Sequence, residues 1–417
     1  MTTAAPRRTT YAVWEITLKC NLACSHCGSR AGDARPDELS TAEALNLVGQ
    51  LRDAGIDEVT LIGGEAYLRK DWLDIAREIV AQGMLCGMTT GGLALSPNMA
   101  KKMKDVGFCS VSVSIDGLEA THDGLRGVPG SWAGAFRALE ALRAEGVPAA
   151  CNTQINRRSW KELPALYELI RDAGIHSWQI QLTVPMGNAA DQAELLLQPY
   201  ELLELYPMLG ELAARAHAEG VTMHPGNNIG YYGPYDQLLM GRNDNKPVYY
   251  SGCEAGSRTL GIEADGKIKG CPSLPSKPYT GANIRDLSLI EIMANTEPLQ
   301  FNLIPRFTEE STAHMWGFCG TCRYKQLCRG GCSWTAHVFF DKRGNNPYCH
   351  FRALELAAQG LRERVYIVQA APGTPFDNGL FAAAIEPLDA PLPATPWVTP
   401  GVDVAVPADR GAYQPGR

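Results

Sequence analysis

Three cysteines close to the amino terminus have the spacing of a metal-binding loop. Cys20, Cys24 and Cys27 are separated by three and then two residues, so their thiolates can turn toward one centre. A cubane iron–sulfur cluster takes four such ligands, and this loop provides three, which leaves one iron open to a small ligand. Cysteine-rich turns also bind zinc, so a structural zinc loop is the alternative.

The elements that must position this loop follow a repeating pattern from residue 11 to about residue 219. Apolar, β-rich runs alternate with amphipathic helices that end at glycine, and this alternation predicts parallel βαβ units. We predict strands over the ranges 11–18, 58–62, 85–90, 108–115, 149–155 and 177–183. Six such units do not close an eight-stranded barrel, so we predict an α/β fold with an open, partial (β/α)6 barrel.

Unusual residues follow the ends of the first four predicted strands. The cysteine loop follows the first strand, Gly63-Gly64-Glu65 the second, Thr89–Gly92 the third and Ser114–Gly117 the fourth. In barrels of this kind, chemistry is located at the carboxyl ends of the strands. We therefore expect these four segments to converge on one rim of the barrel.

With these motifs the chain resembles the radical S-adenosylmethionine (SAM) superfamily. The resemblance implies that SAM chelates the open iron of a [4Fe–4S] cluster held by Cys20, Cys24 and Cys27. One electron from the cluster would cleave SAM to a 5'-deoxyadenosyl radical, which abstracts hydrogen from a substrate. Gly63-Gly64-Glu65 matches the GGE motif of the family, which implies hydrogen bonds to the SAM amino group.

The same resemblance implies further contacts to SAM. Ser114 and Arg126 are candidates for its carboxylate or ribose, and Arg is a natural carboxylate partner because its planar fork is permanently charged. Asp116 is either part of this site or an ordinary turn residue. The complete set of cofactor-binding candidates is Gly63, Gly64, Glu65, Thr90, Ser114, Asp116, Arg126, Asn152 and Met186.

Seven further cysteines form a second group beyond residue 250, in a region dominated by loops. Their spacing resembles the SPASM domain, which implies two auxiliary [4Fe–4S] clusters and three clusters in all. By that resemblance an inner cluster is held by Cys253, Cys271 and Cys332, with an open or non-cysteine fourth site. The outer cluster is held by Cys319, Cys322, Cys328 and Cys349. Two structural zinc sites are the alternative.

The organisation that follows has three parts. A radical SAM barrel covers 11–235, a SPASM auxiliary-cluster domain covers 250–369, and a Pro-rich, irregular extension covers 370–417. We predict a helix at about 350–369 and a Gly- and Tyr-rich connector at 225–235. Cys86, Cys109 and Cys151 are interpreted as buried free thiols. Trp316, Trp334 and His337 are interpreted as packing groups near the clusters.

Composition excludes several classes of function. The formal net charge of −7 gives no support to binding of nucleic acid or of a membrane surface. No apolar run has transmembrane length, and the Arg pair near the amino terminus is not followed by a signal-type apolar segment. The clustering of the thirteen cysteines in short spacings favours metal sites over disulfides. We therefore expect a cytoplasmic protein.

Most characterised SPASM relatives modify peptides, so a peptide-modifying maturase is our leading hypothesis. Cys271 is followed by Pro272-Ser273, where sulfatase-maturating relatives have Asp, which argues against formylglycine formation. Few residues precede the first strand, so we expect no fused peptide-recognition domain. The alternatives are oxidation or rearrangement of a small metabolite, and a zinc-stapled interaction module without catalysis. An electron donor such as flavodoxin or ferredoxin is the expected partner.

Overall fold

The computed structural model describes residues 10–226, 228–243 and 246–398, without the side chains of residues 242, 243, 246 and 247. Three parts of the predictions lie outside these residues. They are the amino-terminal Arg pair, Asn227 in the connector, and the Pro-rich extension beyond residue 398.

The strands, in chain order, are β1 Tyr11–Glu15, β2 Glu58–Ile62, β3 Leu85–Thr90, β4 Ser110–Ser114, β5 Ala149–Ile155, β6 Ser177–Leu182, β7 Thr222–Pro225, β8 Arg242–Asn243, β9 Lys246–Pro247, β10 Thr259–Ile262, β11 Lys267–Lys269, β12 Thr280–Asn283, β13 Leu361–Gln369 and β14 Leu380–Pro387. The helices are α1 Thr41–Asp53, α2 Trp72–Ala81, α3 Pro97–Val106, α4 Glu119–Arg126, α5 Ser131–Ala144, α6 Leu163–Asp172, α7 Leu202–Ala218, α8 Asp236–Leu239, α9 Ser276–Tyr279, α10 Leu289–Asn295, α11 Glu297–Gln300, α12 Gly317–Thr321, α13 Lys325–Cys328, α14 Ser333–Phe340 and α15 His350–Ala357.

One large sheet organises the molecule. Its strand order is β12-β11-β10-β1-β2-β3-β4-β5-β6-β7, and all neighbours from β1 to β7 are parallel. The outer face is covered by helices, with α2 on β3 and α5 on β4, and the apolar core lies between these layers. In the part of the chain that the structure describes, the edge strands β12 and β7 do not pair with each other. The predicted α/β partial barrel is therefore confirmed.

Local sequence signals mark several helix boundaries of this barrel. Ser40 and Glu43 form a reciprocal capping box at the start of α1, and the Ser96 hydroxyl accepts a hydrogen bond from the Met99 backbone at the start of α3. Gly107 ends α3 with φ of 93°, a left-handed conformation that glycine adopts at low cost. These signals mark several of the helix boundaries, and the six strands of the repeating pattern lie close to their predicted positions.

The carboxyl-terminal region extends the barrel sheet, which the sequence did not indicate. β10 pairs in parallel with β1, and β11 and β12 follow in antiparallel order. These strands have three or four residues each, too short for a periodic pattern to reveal. Since Cys271 comes two residues after β11, this pairing brings the second cysteine group to the barrel.

The prediction of a helix over 350–369 is wrong beyond residue 357. Helix α15 ends at Ala357, Gly360 adopts φ of 71°, and the chain continues as β13. The β-branched residues Val365 and Ile367 favour a strand there, and β13 finds its partner in β14. The prediction of an irregular extension is accordingly wrong for Leu380–Pro387, which forms β14.

Among the described residues, no helix combines the length and the apolar composition that crossing a bilayer requires.

Candidate functional site

A cavity of about 300 Å³ lies at the carboxyl ends of strands β1 to β6, and we call it the rim cavity. The structure places most of the predicted site residues in its wall. They are Cys20, Cys24, Cys27, Gly63, Gly64, Thr90, Ser114, Arg126, Asn152 and Met186. These residues come from seven separate segments that only the barrel topology brings together.

The cysteine loop is held by backbone hydrogen bonds to two neighbouring segments. The Cys20 amide donates to the Gly32 carbonyl at 2.8 Å, and the Ala23 amide donates to the Arg126 carbonyl at 2.9 Å. Burial raises the pKa of the Cys20 thiol to about 12 and that of Cys24 to about 11. Thiols in this environment ionise when a cation is bound beside them, as metal ligands do.

This donor set fits an iron–sulfur cluster with three protein ligands. Cys20, Cys24 and Cys27 are the cysteines of the rim cavity, and among the described residues no fourth cysteine lines it. A cubane held there would therefore keep one iron without a protein thiolate.

Gly63 and Gly64 pack directly against the cysteine loop. A Cβ atom on Gly64 would lie 2.5 Å from the Leu18 carbonyl oxygen, and one on Gly63 would lie 2.6 Å from that of Thr17. The Gly64 amide donates to the Thr17 carbonyl at 2.8 Å. The pair of glycines is thus required for the close approach of the β2 turn to the cysteine loop.

Glu65 lies behind the cavity wall rather than in it. Its side chain is 1 % exposed and accepts hydrogen bonds from the Thr90 hydroxyl at 2.8 Å and from the Gly91 amide at 2.9 Å. Burial raises its pKa to about 7, against the effect of these two hydrogen bonds. The carboxyl group therefore joins the turn after β2 to the turn after β3.

Asp116 is the centre of a buried charge cluster below the cysteine loop. Its Oδ2 atom lies 2.7 Å from Arg126 Nη2 and 3.1 Å from His26 Nε2. Burial alone would raise the pKa of Asp116, but the charges of Arg126 and His26 hold it well below its usual range. Arg126 Nη1 is also 3.7 Å from Cys24 Sγ. The guanidinium thus links Asp116 to the cysteine loop.

His26 is a site residue that the sequence reasoning missed. It lies between Cys24 and Cys27, lines the rim cavity, and its Nδ1 atom is buried without a hydrogen-bond partner. Its position inside the cysteine motif was the available signal.

Ser114, Asn152 and Met186 line the cavity from β4, β5 and the turn after β6. Asn152 Oδ1 accepts a hydrogen bond from the Ser114 hydroxyl at 3.0 Å, which fixes the orientation of the Asn152 amide. Trp334 Nε1 lies 2.9 Å from Met186 Sδ. Trp334, interpreted from the sequence as packing, is in fact part of the cavity wall.

A second cavity of about 750 Å³, the barrel cavity, adjoins the first along the inner face of the sheet. The two cavities share wall residues from β2, β3, β5, β6, the turn after Cys271 and α14: Ile62, Thr89, Asn152, Gln154, Gln181, Pro272, Ser273 and Trp334. Register pairs Asn152 with Gln179 and Gln154 with Gln181, so four amide side chains lie side by side on one face. The three glutamines were not recognised from the sequence, since isolated Gln residues in strands carry no signal.

The second cysteine group divides into two sets. Burial and then the neighbouring Cys253 and Cys271 thiols raise the pKa of Cys332 to about 12. Cys271 and Cys332 also line the barrel cavity.

Around the other set, burial and then Cys349, Cys319 and Cys322 raise the pKa of Cys328 well above its usual value. Cys332 lines the barrel cavity together with Cys271, and it also packs in one apolar cluster with Cys328 and Cys349. Of the remaining thiols, Cys86 and Cys151 are fully buried in the core of the barrel.

Comparison with known proteins adds an independent line of evidence. Residues 14–170 match the model of the Radical SAM superfamily. Fe-coproporphyrin III synthase of Methanosarcina barkeri is 31% identical over 362 residues, which cover 82% of this chain and 88% of that protein. AdoMet-dependent heme synthase of the same organism is 29% identical, covering 84% and 98%. Mycofactocin maturase MftC of Mycobacterium ulcerans is 28% identical, covering 81% and 86%.

Solved structures show the same fold. Streptococcus suis SuiB bound to the precursor peptide SuiA has a TM-score of 0.59 at 14% identity, covering 82% of this chain and 74% of that one. Native anSMEcpe with bound AdoMet and Cp18Cys peptide has a TM-score of 0.63 at 16% identity, covering 83% and 94%. The chain is an enzyme and belongs to the radical SAM superfamily, whose members use a [4Fe–4S] cluster and SAM.

Proposed function

We propose that the enzyme binds SAM in the rim cavity and abstracts hydrogen from a peptide held in the barrel cavity, which it modifies oxidatively. The observation that carries this proposal is the shared wall of the two cavities. It forms one space that runs from the three-cysteine loop to Cys271 and Cys332. A substrate lying there would contact the SAM side at one end and the inner cysteines at the other.

The residues of the rim have distinct roles in this proposal. Cys20, Cys24 and Cys27 hold the SAM-binding cluster, which when bound supplies the electron that cleaves SAM. Gly63 and Gly64 keep the wall thin beside the loop, so that backbone carbonyls face the SAM ammonium group. The Asn152 amide nitrogen remains available to the ribose, because its oxygen is occupied by Ser114.

Arg126 and Asp116 act together in the same proposal. Asp116 compensates the buried charge of Arg126, and Arg126 in turn approaches Cys24. A cation beside this thiol stabilises its ionised, metal-binding form. We therefore assign Arg126 a role in holding the cluster, in addition to the predicted contact with the SAM carboxylate.

The charge of the cavities supports a peptide. Among the described residues that line them, Arg126 is the only Lys or Arg, and it is paired with Asp116. The facing wall offers the neutral amides of Gln154, Gln179 and Gln181, which can donate to and accept from peptide groups. A ligand with several carboxylates would find no unpaired Lys or Arg among these lining residues to balance its charge. The names of two similar proteins, a maturase and an enzyme bound to its precursor peptide, agree with this choice.

Oxidation of a tetrapyrrole is the second candidate. Two relatives that align over most of their length are a heme synthase and an Fe-coproporphyrin III synthase. A combined cavity between SAM and the inner cysteines would also accommodate a planar macrocycle. Oxidation or rearrangement of a small metabolite is the third and has no feature of the cavities in its favour.

For the carboxyl-terminal cysteines we propose two auxiliary [4Fe–4S] clusters. The inner set, Cys253, Cys271 and Cys332, would accept the electron released by the oxidised substrate, because it borders the barrel cavity. The outer set is Cys319, Cys322, Cys328 and Cys349. In this division of labour the barrel, 11–235, binds SAM and the region 250–369 carries electrons. A ferredoxin or flavodoxin would supply the electron for SAM cleavage.

Iron analysis and SAM cleavage test the cofactor part of the proposal. Three clusters correspond to about twelve iron atoms per chain in anaerobically reconstituted protein. Such protein should convert SAM to 5'-deoxyadenosine with dithionite. A colourless protein that binds zinc and leaves SAM intact would instead support the interaction module. In the described residues, no group of three or more His, Cys, Asp or Glu side chains is close enough to hold one metal ion.

The substrate class is tested by comparing two probes. Short peptides encoded beside the gene and Fe-coproporphyrin III are each incubated with enzyme, SAM and dithionite, and products are identified by mass spectrometry. We expect a peptide to lose hydrogen. Conversion of the tetrapyrrole alone would overturn the peptide proposal and leave the SAM chemistry intact.

A further inference from the structure

The carboxyl-terminal segment 374–378, between β13 and β14, returns to the rim cavity. Phe376 lines this cavity beside the cysteine loop and is 9 % exposed. Its φ of 57° is in the left-handed region, which is rare for a bulky residue and persists only where the surroundings impose it. The segment is therefore held in place by specific contacts.

Those contacts join the segment to the cysteine loop and to the turn after β6. The Phe376 amide donates to the Gly28 carbonyl at 3.2 Å, and the Asp377 carbonyl accepts from the Gly187 amide at 2.9 Å. The Asp377 carboxylate accepts from Arg30 Nε at 2.8 Å and from Arg30 Nη2 at 3.3 Å. Side chains of Arg30 and Asp377 are 11 % and 5 % exposed, so this pair is shielded from solvent.

The Phe376 ring packs against a buried lysine at the wall of the rim cavity. Lys269 Nζ lies 3.8 Å from the ring centroid, a cation–π contact in a buried setting. The same ammonium donates to the carbonyls of Pro272 at 3.2 Å and Leu274 at 2.7 Å. Pro272 belongs to the wall that the two cavities share. The ring is thus fixed against the turn that follows Cys271.

We infer that Phe376 is a substrate-contacting wall residue supplied by the carboxyl-terminal segment, and that Asp377 positions it by its pair with Arg30. Together with Met186 and Trp334, the ring gives the rim cavity an apolar surface, and Trp334 continues this surface into the barrel cavity. It accepts an apolar side chain of the peptide next to the reacting carbon and keeps small solutes from that position. This inference rests on the proposed function and specifies its substrate as a peptide with an apolar residue at the reacting site.

The decisive variant is Phe376→Ala, and Phe307→Ala is its matched control. Phe307 also has positive φ but is 67 % exposed and lines neither cavity. Each protein is incubated with SAM and dithionite in buffer with perdeuterated 2-propanol, without substrate. We expect Phe376→Ala to incorporate at least about fivefold more deuterium into 5'-deoxyadenosine than the unchanged chain, because the alcohol reaches the opened junction. Phe307→Ala should match the unchanged chain. Equal incorporation in all three proteins would overturn the inference.

Asp377→Asn tests the positioning role. It keeps the ring and removes one of the two carboxylates that pair with Arg30, the other being Asp191, so deuterium incorporation should fall between those of the unchanged chain and Phe376→Ala. Phe376→Leu retains an apolar group and should stay within about twofold of the unchanged chain. Thermal midpoints measured on the same samples identify any variant that is unfolded; if Phe376→Ala is unfolded, Asp377→Asn carries the comparison, and incorporation equal to that of the unchanged chain overturns the inference.

A second readout does not depend on catalysis. The rate at which a ferrous chelator extracts iron from the reconstituted protein should rise in Phe376→Ala and remain unchanged in Phe307→Ala. If the purified chain holds no iron, the cofactor proposal fails. Alkylation of Cys24 and Cys27 by iodoacetamide then compares the same variants, and equal rates would contradict the wall role.

Discussion

The two cysteine regions of this enzyme are built in opposite ways. The first places Cys20, Cys24 and Cys27 in one short loop, fixed by β1, the Gly63-Gly64 turn and α4. The second collects thiols from Cys253 to Cys349 through short helices and loops. One site is positioned by a scaffold that exists without it. In our proposal, the other holds together the segments that carry it, as small metal domains do.

The side chains that surround the two cysteine regions also differ. Buried ion pairs support the first region: Asp116 with Arg126, and Glu15 near Arg35. Aromatic rings surround the second, for example Tyr232 stacked on Tyr324 with centroids 4.3 Å apart. Loss of a single group should therefore abolish chemistry in the first region and local order in the second.

The largest expected effect is that of Cys24→Ser. Removing one of three thiolates that face the rim cavity should lower SAM cleavage by about 1000-fold or more while the barrel remains folded. The measurement is 5'-deoxyadenosine formation by reconstituted protein, with circular dichroism as the check on folding. Cys109→Ser, directly before β4 and outside both cavities, is the control and should retain activity. Equal loss of SAM cleavage in both variants would show that the effect of Cys24→Ser is not specific to the cysteine loop.

Asp116→Asn tests how far buried charge supports the cysteine loop. The substitution leaves the Arg126 guanidinium without its partner in a fully buried site, which should destabilise the protein by about 3–5 kcal/mol. Denaturant unfolding under anaerobic conditions measures this difference. Asp74→Asn breaks an exposed pair with Arg77 and should cost less than about 1 kcal/mol. A small change in the free energy of unfolding of Asp116→Asn would mean that the Asp116–Arg126 pair contributes little to the support of the cysteine loop.

Iron removal should affect the two regions unequally. After treatment with a chelator, tryptic cleavage between residues 303 and 345 should accelerate by about tenfold, because the loops there lose the centre that joins them. Cleavage in the barrel helices between residues 41 and 172 should change little. Mass spectrometry of timed digests locates the cuts. Cleavage that begins in the barrel would show that both regions depend on metal to the same degree.

Glu15 gives a signed pH dependence of stability. Burial, opposed by Arg35, raises its pKa from the ordinary value of 4.5 to about 8. The folded chain therefore binds a proton that the unfolded chain releases, so this group makes stability fall as pH rises from about 4.5 to 8, by at most about 1.4 kcal/mol per pH unit. Above pH 8 its contribution is constant.

Glu15→Gln should remove this decline, as denaturation midpoints between pH 5.5 and 8.5 would show. Glu43→Gln is the control, because side-chain hydrogen bonds from Arg285 lower the pKa of Glu43 to about 2 and it stays ionised throughout this range. That variant should shift the curve without changing its slope. An unchanged slope in Glu15→Gln would show that Glu15 is ionised in the folded protein.

The barrel and its cysteine loop could be predicted because their signals are local. Ser40 with Glu43, Ser96 before Pro97 and the terminal Gly107 each mark a helix boundary within a few residues. The carboxyl-terminal strands could not be predicted in this way. β10 has four residues, and its partner β1 lies almost 250 residues earlier in the chain. The sequence analysis predicts a helix over the residues of β13, because it does not recognise β14 as their partner.

By itself, the sequence determined the kind of chemistry: which thiols are available, in which spacing, and at the end of which strand. Residue type and short spacing are written in the chain, so motifs such as Cys20–Cys27 and Gly63-Gly64-Glu65 survive without coordinates. Only the tertiary structure decided that Glu65 and Asp116 support the cavity from behind. It also decided that Gln154, Gln181, Trp334 and Phe376 face the cavity. Contacts between distant segments depend on the direction of each side chain in a packed sheet, and no local pattern specifies that direction.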